Sequence, residues 1–166
     1  SLLKQVSKYS GRITLFVIPF TETQERIKDD CPEEIFTVIM RRMMMRVAQI
    51  VAAKQGAGAL ITGESVGQVA SQTMPAIACT DKVCEIPVFR PLIGMDKDEV
   101  VAISRKIDTF DISILPYEDC CTVFTPKHPK TRPTVDYVEA CEKALDIDRL
   151  VNEAVEGART VYINAY

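Results

Sequence analysis

Short apolar segments alternate with longer amphipathic segments along the chain. The apolar segments span residues 12–18, 58–62 and 85–90, and each is followed by proline or glycine. The first of them is nearly continuous in apolar and β-branched residues, which is typical of a strand covered on both faces, as in parallel sheets. Because such strands alternate with helical segments, the pattern predicts an α/β fold: a three-layer parallel sheet with helices on both faces. Pro87 places the third strand at an edge or a bulge.

The amphipathic segments repeat every three to four residues, as helices do. Predicted helices cover residues 1–10, 21–30, 32–55, 66–74, 97–106, 134–145 and 147–159. A serine, threonine or aspartate followed three positions later by glutamine or glutamate predicts capping boxes at Thr21, Ser65 and Asp96. The helix over 32–55 is long enough to span the domain.

Neighbouring arginines on this long helix are predicted to have different environments. Arg42 and Arg46 fall opposite the apolar stripe and are predicted to lie in water, whereas Arg41 lies beside the stripe. Arg41 is therefore the better placed of the pair to direct its guanidinium at an internal anion. The alternative is a rim residue whose charged end reaches solvent.

The glycine-containing turn at 63–73 follows the second predicted strand and precedes a predicted helix. Strand, turn and helix in this order form anion and nucleotide sites, because backbone N–H groups collect at the carboxyl end of a parallel strand. Gly63 begins the turn, and Gln72 is placed to face back toward the strand end. The turn matches neither of the generic phosphate motifs, so a plain capped turn remains the alternative.

Composition limits the class of protein and the candidate chemistry. The 166 residues carry a net charge of −3, which does not indicate a nucleic-acid-binding protein. Local basic clusters such as 41–46 and 127–132 could nevertheless contact phosphates. The alternative for the second cluster is a solvated surface. We predict a cytoplasmic protein, because no apolar run is long enough for a bilayer and no signal peptide is recognisable. The six cysteines contain no CxxC, which disfavours zinc, and a chain of this size with a real core does not need a disulfide framework. The single histidine, His128, is predicted to be a surface residue.

The segment 108–133 is rich in proline and keeps neither hydrophobic period. A loop of this length inside a compact domain is often functional. It carries the adjacent Cys120 and Cys121, the best candidates for a nucleophile or a persulfide carrier, since sulfur reactivity follows the thiolate. The alternative is a pair of unreactive cysteines, because Glu118 and Asp119 oppose a lowered pKa.

Four motifs together resemble the tRNA 4-thiouridine synthetase family, whose members also serve thiamine thiazole synthesis. They are RRM at 41–43, TGESVGQVASQT at 62–73, RPLI with DK at 90–97, and ISILPYEDCCTVFTP at 112–126. The resemblance implies a Rossmann-like PP-loop (adenine-nucleotide α-hydrolase) domain. It also implies a reaction in which ATP activates a uridine of tRNA as an adenylate and a persulfide sulfur then displaces AMP.

The same resemblance implies roles for individual residues. Arg41, Gly63 and Gln72 match positions that contact ATP, which is expected to bind with Mg²⁺. Cys121 matches the catalytic cysteine best, and Cys120 remains an alternative because the pair is adjacent. The implied partners are tRNA and a sulfur donor of the cysteine desulfurase or rhodanese type.

The sequence also departs from the family pattern, since neither the PP-loop phosphate motif nor the N-terminal tRNA-binding regions occur in it. We therefore expect residues 1–166 to be part of one PP-loop domain that is truncated at its N-terminus, with 108–133 a cysteine-bearing loop and 134–166 C-terminal helices. Alone, this piece is expected to bind ATP weakly, to lack thiolation activity and to self-associate. The alternatives are a non-catalytic nucleotide-binding or scaffold module without the PP-loop, and another PP-loop tRNA thiolase.

Overall fold

The computed structural model describes residues 1–117 and 126–164. Its helices are α1 Leu2–Ser10, α2 Thr21–Asp30, α3 Phe36–Lys54, α4 Met74–Asp81, α5 Lys97–Lys106, α6 Phe110–Ser113, α7 Val135–Glu142 and α8 Ile147–Glu156. Its strands are β1 Ile13–Val17, β2 Leu60–Ile61, β3 Val88–Phe89 and β4 Arg159–Ile163. None of the helices in these ranges combines the length and the apolarity that crossing a bilayer requires.

The strands form two pairs. β2 and β3 are parallel, with Leu60 opposite Val88, which confirms the predicted arrangement of the second and third strands. β1 instead pairs with β4, and this pair is antiparallel. A groove of about 800 Å³ separates the two pairs, and it is lined by β1, α3 and β2. The mixture of helices and strands confirms the α/β class.

The strand β4 corrects the prediction that residues 134–166 are helical. Helix α8 ends at Glu156 instead of near Arg159, and Gly157 follows it. The residues after it are rich in β-branched and aromatic side chains, which favour an extended backbone. The backbone hydrogen bonds of β1 are available to this segment, so tertiary pairing extends the strand beyond the helix.

Helix α3 is the centre of the core and packs against α2, α4 and α8. Its predicted stripe is buried, as Ile39, Met40 and Met43 show, but its opposite face is covered as well. Arg42 is only 1% exposed there and the Arg46 side chain 20%, so the prediction that both lie in water is wrong. Helices α4 and α7 cover this face, and the carboxylate of Glu142 neutralises the guanidinium.

The predicted capping boxes have different outcomes. The box at the start of α5 is confirmed: Glu99 N–H donates to Asp96 Oδ1 at 2.9 Å, and Asp96 N–H donates to Glu99 Oε2 at 2.8 Å. The box at Thr21 is wrong, because Phe20 occupies the N-cap position of α2. Within the loop 108–133, the short helix α6 was not predicted.

Gly157 joins α8 to β4 at a point of close packing. A Cβ atom on Gly157 would lie 2.6 Å from Pro19 Cγ and 3.2 Å from the Glu153 carbonyl oxygen. We expect Gly157→Ala to lower the free energy of unfolding by about 1–3 kcal/mol, because the backbone must shift to relieve the overlap. Urea denaturation measures this change. Gly58→Ala is the matched control, because the added Cβ would meet no described atom within 4 Å. Equal effects of the two substitutions would contradict the steric explanation.

Candidate functional site

The candidate site lies where β2 and β3 end. Because these strands are parallel, their carboxyl ends bring the turn that starts at Gly63 next to Arg90. The backbone of Thr62 donates to the Phe89 carbonyl at 3.0 Å and continues the pairing to the turn. Arg41 reaches the same place from α3.

Glu64 is the centre of a buried polar network at these strand ends. Its side chain is 3% exposed. Its Oε1 accepts a hydrogen bond from Arg41 Nη2, and its Oε2 accepts from Arg90 Nε at 2.6 Å and from Thr62 Oγ1 at 2.8 Å. Arg90 is also paired with Asp81, which is partly exposed. Two carboxylates and two guanidiniums therefore balance one another, which is the condition for keeping charges out of water.

The environment of Glu64 favours its ionised form. Burial by itself raises the pKa of this carboxyl, but the charge of Arg41 and the hydrogen bonds from Thr62 and Arg90 lower the pKa below its ordinary value. The lowering dominates because every partner of the carboxylate is a donor. Glu64 is therefore an anion that holds Arg41 at the strand end.

Gln72 stabilises the glycine turn through two hydrogen bonds within it. Its side-chain Oε1 accepts a hydrogen bond from Ser65 N–H at 3.0 Å, and its backbone carbonyl accepts from Gly67 N–H at 3.0 Å. Gly67 has φ 82°, a backbone conformation that favours glycine. Gln72 thus faces back toward the start of the turn, as predicted, but it does so from a short 3₁₀ helix and not from the predicted α-helix.

Instead of the α-helix predicted over 66–74 the structure has a turn followed by the short 3₁₀ helix Ala70–Gln72, and the capping box at Ser65 is wrong. The Ser65 hydroxyl donates to the Met95 carbonyl at 2.6 Å, and residues 66–69 form no helix whose N–H groups its oxygen could accept. Helix α4 instead begins at Met74, where Thr73 Oγ1 accepts from Ala76 N–H and Pro75 occupies the first turn. A proline that predicted the end of a helix therefore marks the start of one.

Two features leave room for a ligand beside this turn. Gly63 is exposed, and a Cβ added there would meet no described atom within 4 Å, so its backbone is open to approach. Arg41 Nε is buried and has no hydrogen-bond partner among the described residues. A buried charged donor without an acceptor is costly, so an acceptor atom of a bound molecule would stabilise it.

Sequence reasoning missed the network that connects these residues. The sequence singled out three residues of the site. Gly63 and Gln72 lie in the glycine turn, and Arg41 of α3 contacts the turn through Glu64. Glu64, Arg90 and Asp81 were not identified as one cluster. The available signal was a charged residue close to the end of each apolar strand, because parallel strands bring such residues together. Glu64 lies three positions after β2, and Arg90 follows β3 directly.

The predicted cysteine pair, Cys120 and Cys121, lies outside the described residues. Burial raises the pKa of Cys31 to about 11 and also raises the pKa values of Cys79 and Cys84. These thiols are therefore poor sources of thiolate at neutral pH. Among the described residues no cluster of histidine, cysteine and carboxylate side chains could hold a metal ion.

The second basic cluster is mostly a solvated surface. His128 is exposed, as predicted. Lys130 donates to Glu34 at 3.1 Å, and this pair is itself partly exposed. The cluster therefore contains no buried carboxylate paired with arginines, in contrast to the network at Glu64.

Comparison with known proteins identifies the family. A model of the family described as "Thiamine biosynthesis protein (ThiI)" matches residues 1–147. The "Probable tRNA sulfurtransferase" of Acetivibrio thermocellus is 54% identical over 98% of this chain, and that of Moorella thermoacetica is 52% identical over 93%. The chain spans only 41% and 40% of the lengths of these relatives.

A solved structure agrees with the sequence comparison. The crystal structure of a 4-thiouridine synthetase–RNA complex with bound ATP superposes with a TM-score of 0.92 at 36% sequence identity. The match covers 98% of this chain and 43% of the other chain. The recognised resemblance and the α/β fold class are thereby confirmed. The chain belongs to the thiamine biosynthesis protein (ThiI) family, whose curated relatives include tRNA sulfurtransferases.

Proposed function

We propose that this chain supplies part of the ATP-binding domain of a tRNA sulfurtransferase that makes 4-thiouridine in tRNA. The observation that carries the proposal is the match of nearly the whole chain to a 4-thiouridine synthetase that was solved with RNA and ATP. The curated relatives, at about half identity, have names of the same activity. The same protein would supply sulfur for the thiamine thiazole, in agreement with the description of the family.

Three residues at the glycine turn would hold the nucleotide. Arg41 offers its buried, unpartnered Nε to an acceptor oxygen or nitrogen, and Gly63 leaves space for close approach to the backbone. Gln72 keeps the turn in shape through Ser65. ATP, bound with Mg²⁺, supplies the activation of the uridine. These three residues would bind and orient the nucleotide and would not act on its phosphates.

Cys121, or its neighbour Cys120, would carry the sulfur. The raised pKa values of Cys31, Cys79 and Cys84 disfavour three of the four described cysteines for this role, because sulfur transfer needs a thiolate. A cysteine desulfurase or a rhodanese-type protein would provide the persulfide. We place the reaction in the cytoplasm, where tRNA is modified. Weak ATP binding, lack of thiolation activity and self-association of residues 1–166 alone stay predictions.

The proposal is tested with the natural protein that contains residues 1–166, supplied with unmodified tRNA, ATP and a persulfide donor. We expect 4-thiouridine to form only when ATP is present, as measured by mass spectrometry of nucleosides. ATP binding without 4-thiouridine formation would favour the alternative of a non-catalytic nucleotide-binding module. A thio-modification other than 4-thiouridine would favour another PP-loop thiolase.

Arg41→Ala tests the nucleotide site directly. We expect the Kd for ATP to rise about tenfold or more, because hydrogen bonds to charged groups in buried sites contribute strongly to binding. Isothermal titration calorimetry measures the change. Arg149→Ala is the control, since Arg149 makes its ion pairs on the exposed surface of α8. An unchanged Kd in Arg41→Ala would remove Arg41 from the proposed site.

A further inference from the structure

We infer that Glu64 is a positioning residue for the nucleotide and that it acts by holding Arg41 in its binding orientation. The inference rests on the proposed function, because it concerns the same ATP site. Glu64 does not need to contact the ligand. Its role follows from four features of the network at the ends of β2 and β3: the division of its two oxygens, the anchoring of Arg90, the unpartnered Nε of Arg41 and the all-donor surroundings.

The two oxygens of Glu64 have separate tasks. Oε2 accepts hydrogen bonds from Arg90 Nε and Thr62 Oγ1, and these bonds fix the carboxylate relative to the strands. Oε1 is then left for Arg41 Nη2. A long arginine side chain has many rotamers, and fixing them in advance lowers the entropy that a ligand must overcome on binding. Glu64 therefore orders Arg41 before the nucleotide arrives.

Arg41 and Arg90 depend on Glu64 to different extents. Arg90 keeps a second carboxylate, Asp81, when Glu64 is removed. Glu64 is the one ion-pair partner that Arg41 has among the described residues. Loss of the carboxylate at position 64 would consequently release Arg41 from its orientation and leave Arg90 anchored.

The unpartnered donor of Arg41 indicates what the ordered side chain is for. Nη2 is occupied by Glu64, whereas the buried Nε has no partner among residues 1–117 and 126–164. A fixed guanidinium with one unpartnered donor suits an acceptor atom of a nucleotide. The orientation of the remaining donors is set by the bond to Glu64.

The inference requires a carboxylate and not merely a polar side chain of the same size. All three groups that contact the Glu64 side chain are donors, namely Arg41, Arg90 and Thr62. A glutamine would direct its NH₂ group at one of these donors, because an amide has only one acceptor oxygen. Glu64→Gln therefore removes the charge that pairs with Arg41 and leaves one of the donors without its acceptor, with almost no change in volume.

The chain offers a matched control for this substitution. Glu142 is equally buried, at 3% exposed, and is also paired with two arginines, Arg42 and Arg46. It lies on α7, and its partners make no ion pair with Glu64 among the described residues. Glu64→Gln and Glu142→Gln should both lower Tm, but only Glu64→Gln should weaken ATP binding.

The experiment measures the Kd for ATP of the natural protein containing residues 1–166, at a temperature where circular dichroism shows every variant folded. We expect Glu64→Gln to raise the Kd about tenfold and Glu142→Gln to leave it unchanged. Glu64→Asp, which keeps the negative charge, should recover part of the affinity and provides a second variant if Glu64→Gln does not fold. An unchanged Kd in Glu64→Gln, or an equal loss in Glu142→Gln, would overturn the inference.

A double-mutant cycle with Arg41→Ala identifies the route of action. If Glu64 acts through Arg41, then Glu64→Gln should cause no further loss of affinity in the Arg41→Ala background. Additive losses would show that Glu64 acts by another route and would overturn the inference. A wild-type protein that binds no ATP would refute the proposed function and the inference with it. Wild-type binding that Arg41→Ala weakens, with Glu64→Gln unaffected, would refute the inference alone.

Discussion

Replacing Glu142 with alanine is expected to lower the free energy of unfolding by about 3–5 kcal/mol, the range found when one partner of a buried ion pair is removed. Glu142 accepts from Arg42 Nε and Nη2 at 2.8 and 2.9 Å and from Arg46 Nη1 and Nη2 at 2.9 and 2.8 Å. Without it, Arg42 would remain 1% exposed with only the Cys79 carbonyl, at 2.6 Å, as a close acceptor. Chemical denaturation measures the loss.

Glu139→Ala is the matched control, since it removes a carboxylate on the same helix that contacts the same arginine. Glu139 is 45% exposed and lies 3.6 Å from Arg42 Nη2, so its removal should cost about 1 kcal/mol or less. Comparable losses in Glu142→Ala and Glu139→Ala would show that burial does not decide the strength of this cluster.

Acidification should reproduce part of the Glu142→Ala effect. Burial raises the pKa of Glu142, but the hydrogen bonds and charges of Arg46 and Arg42 lower it below the ordinary value of 4.5. A carboxyl whose pKa is lower in the folded state stabilises the fold fully at pH values above its ordinary pKa. This contribution is lost as the pH falls through the folded-state pKa. The difference in unfolding free energy between wild type and Glu142→Ala should therefore narrow below pH 4.5.

The second large effect is expected for Cys121→Ala. We expect 4-thiouridine formation by the natural protein to fall on the order of a thousandfold or more, the scale of loss when a nucleophile is removed. The Kd for ATP should stay unchanged, because the proposed nucleotide contacts are on α3 and the glycine turn. Mass spectrometry of nucleosides from the treated tRNA measures the loss.

Two further cysteine variants complete this experiment. Cys120→Ala tests the adjacent residue, and a loss in Cys120→Ala but not in Cys121→Ala would move the role by one position. Cys84→Ala is the control, because burial raises the pKa of Cys84 and its thiol bonds to the Thr80 carbonyl. Full activity in both Cys120→Ala and Cys121→Ala would refute the proposed sulfur carrier.

Local sequence was a reliable guide where the relevant interactions were local. The Asp96–Glu99 capping box formed as predicted, because both of its hydrogen bonds lie within one helical turn. The parallel pairing of β2 and β3 followed from apolar strands separated by a helix. The turn at Gly63 lies at a strand end because the apolar segment stops there.

Prediction failed where contacts with residues far away in the chain set the local structure. Ser65 and Gln68 have the spacing of a capping box, but the Ser65 hydroxyl donates to Met95, thirty residues away. Arg42 was assigned to water by the helix periodicity of α3, yet Glu142, one hundred residues away, makes its burial possible. A periodicity argument sees one element at a time and therefore cannot detect a second helix that covers the polar face.

The amino-acid sequence by itself determined the α/β class and the family, and it singled out the turn and the residues Arg41, Gly63 and Gln72 as candidates. Only the tertiary structure decided how these residues are joined. Glu64 is an ordinary acidic residue in the sequence, and it becomes the centre of the site because two parallel strands and α3 direct their donors at its carboxylate. Charges far apart in the chain compensate one another only after folding, so the network at Glu64 is a property of the fold and not of any one segment.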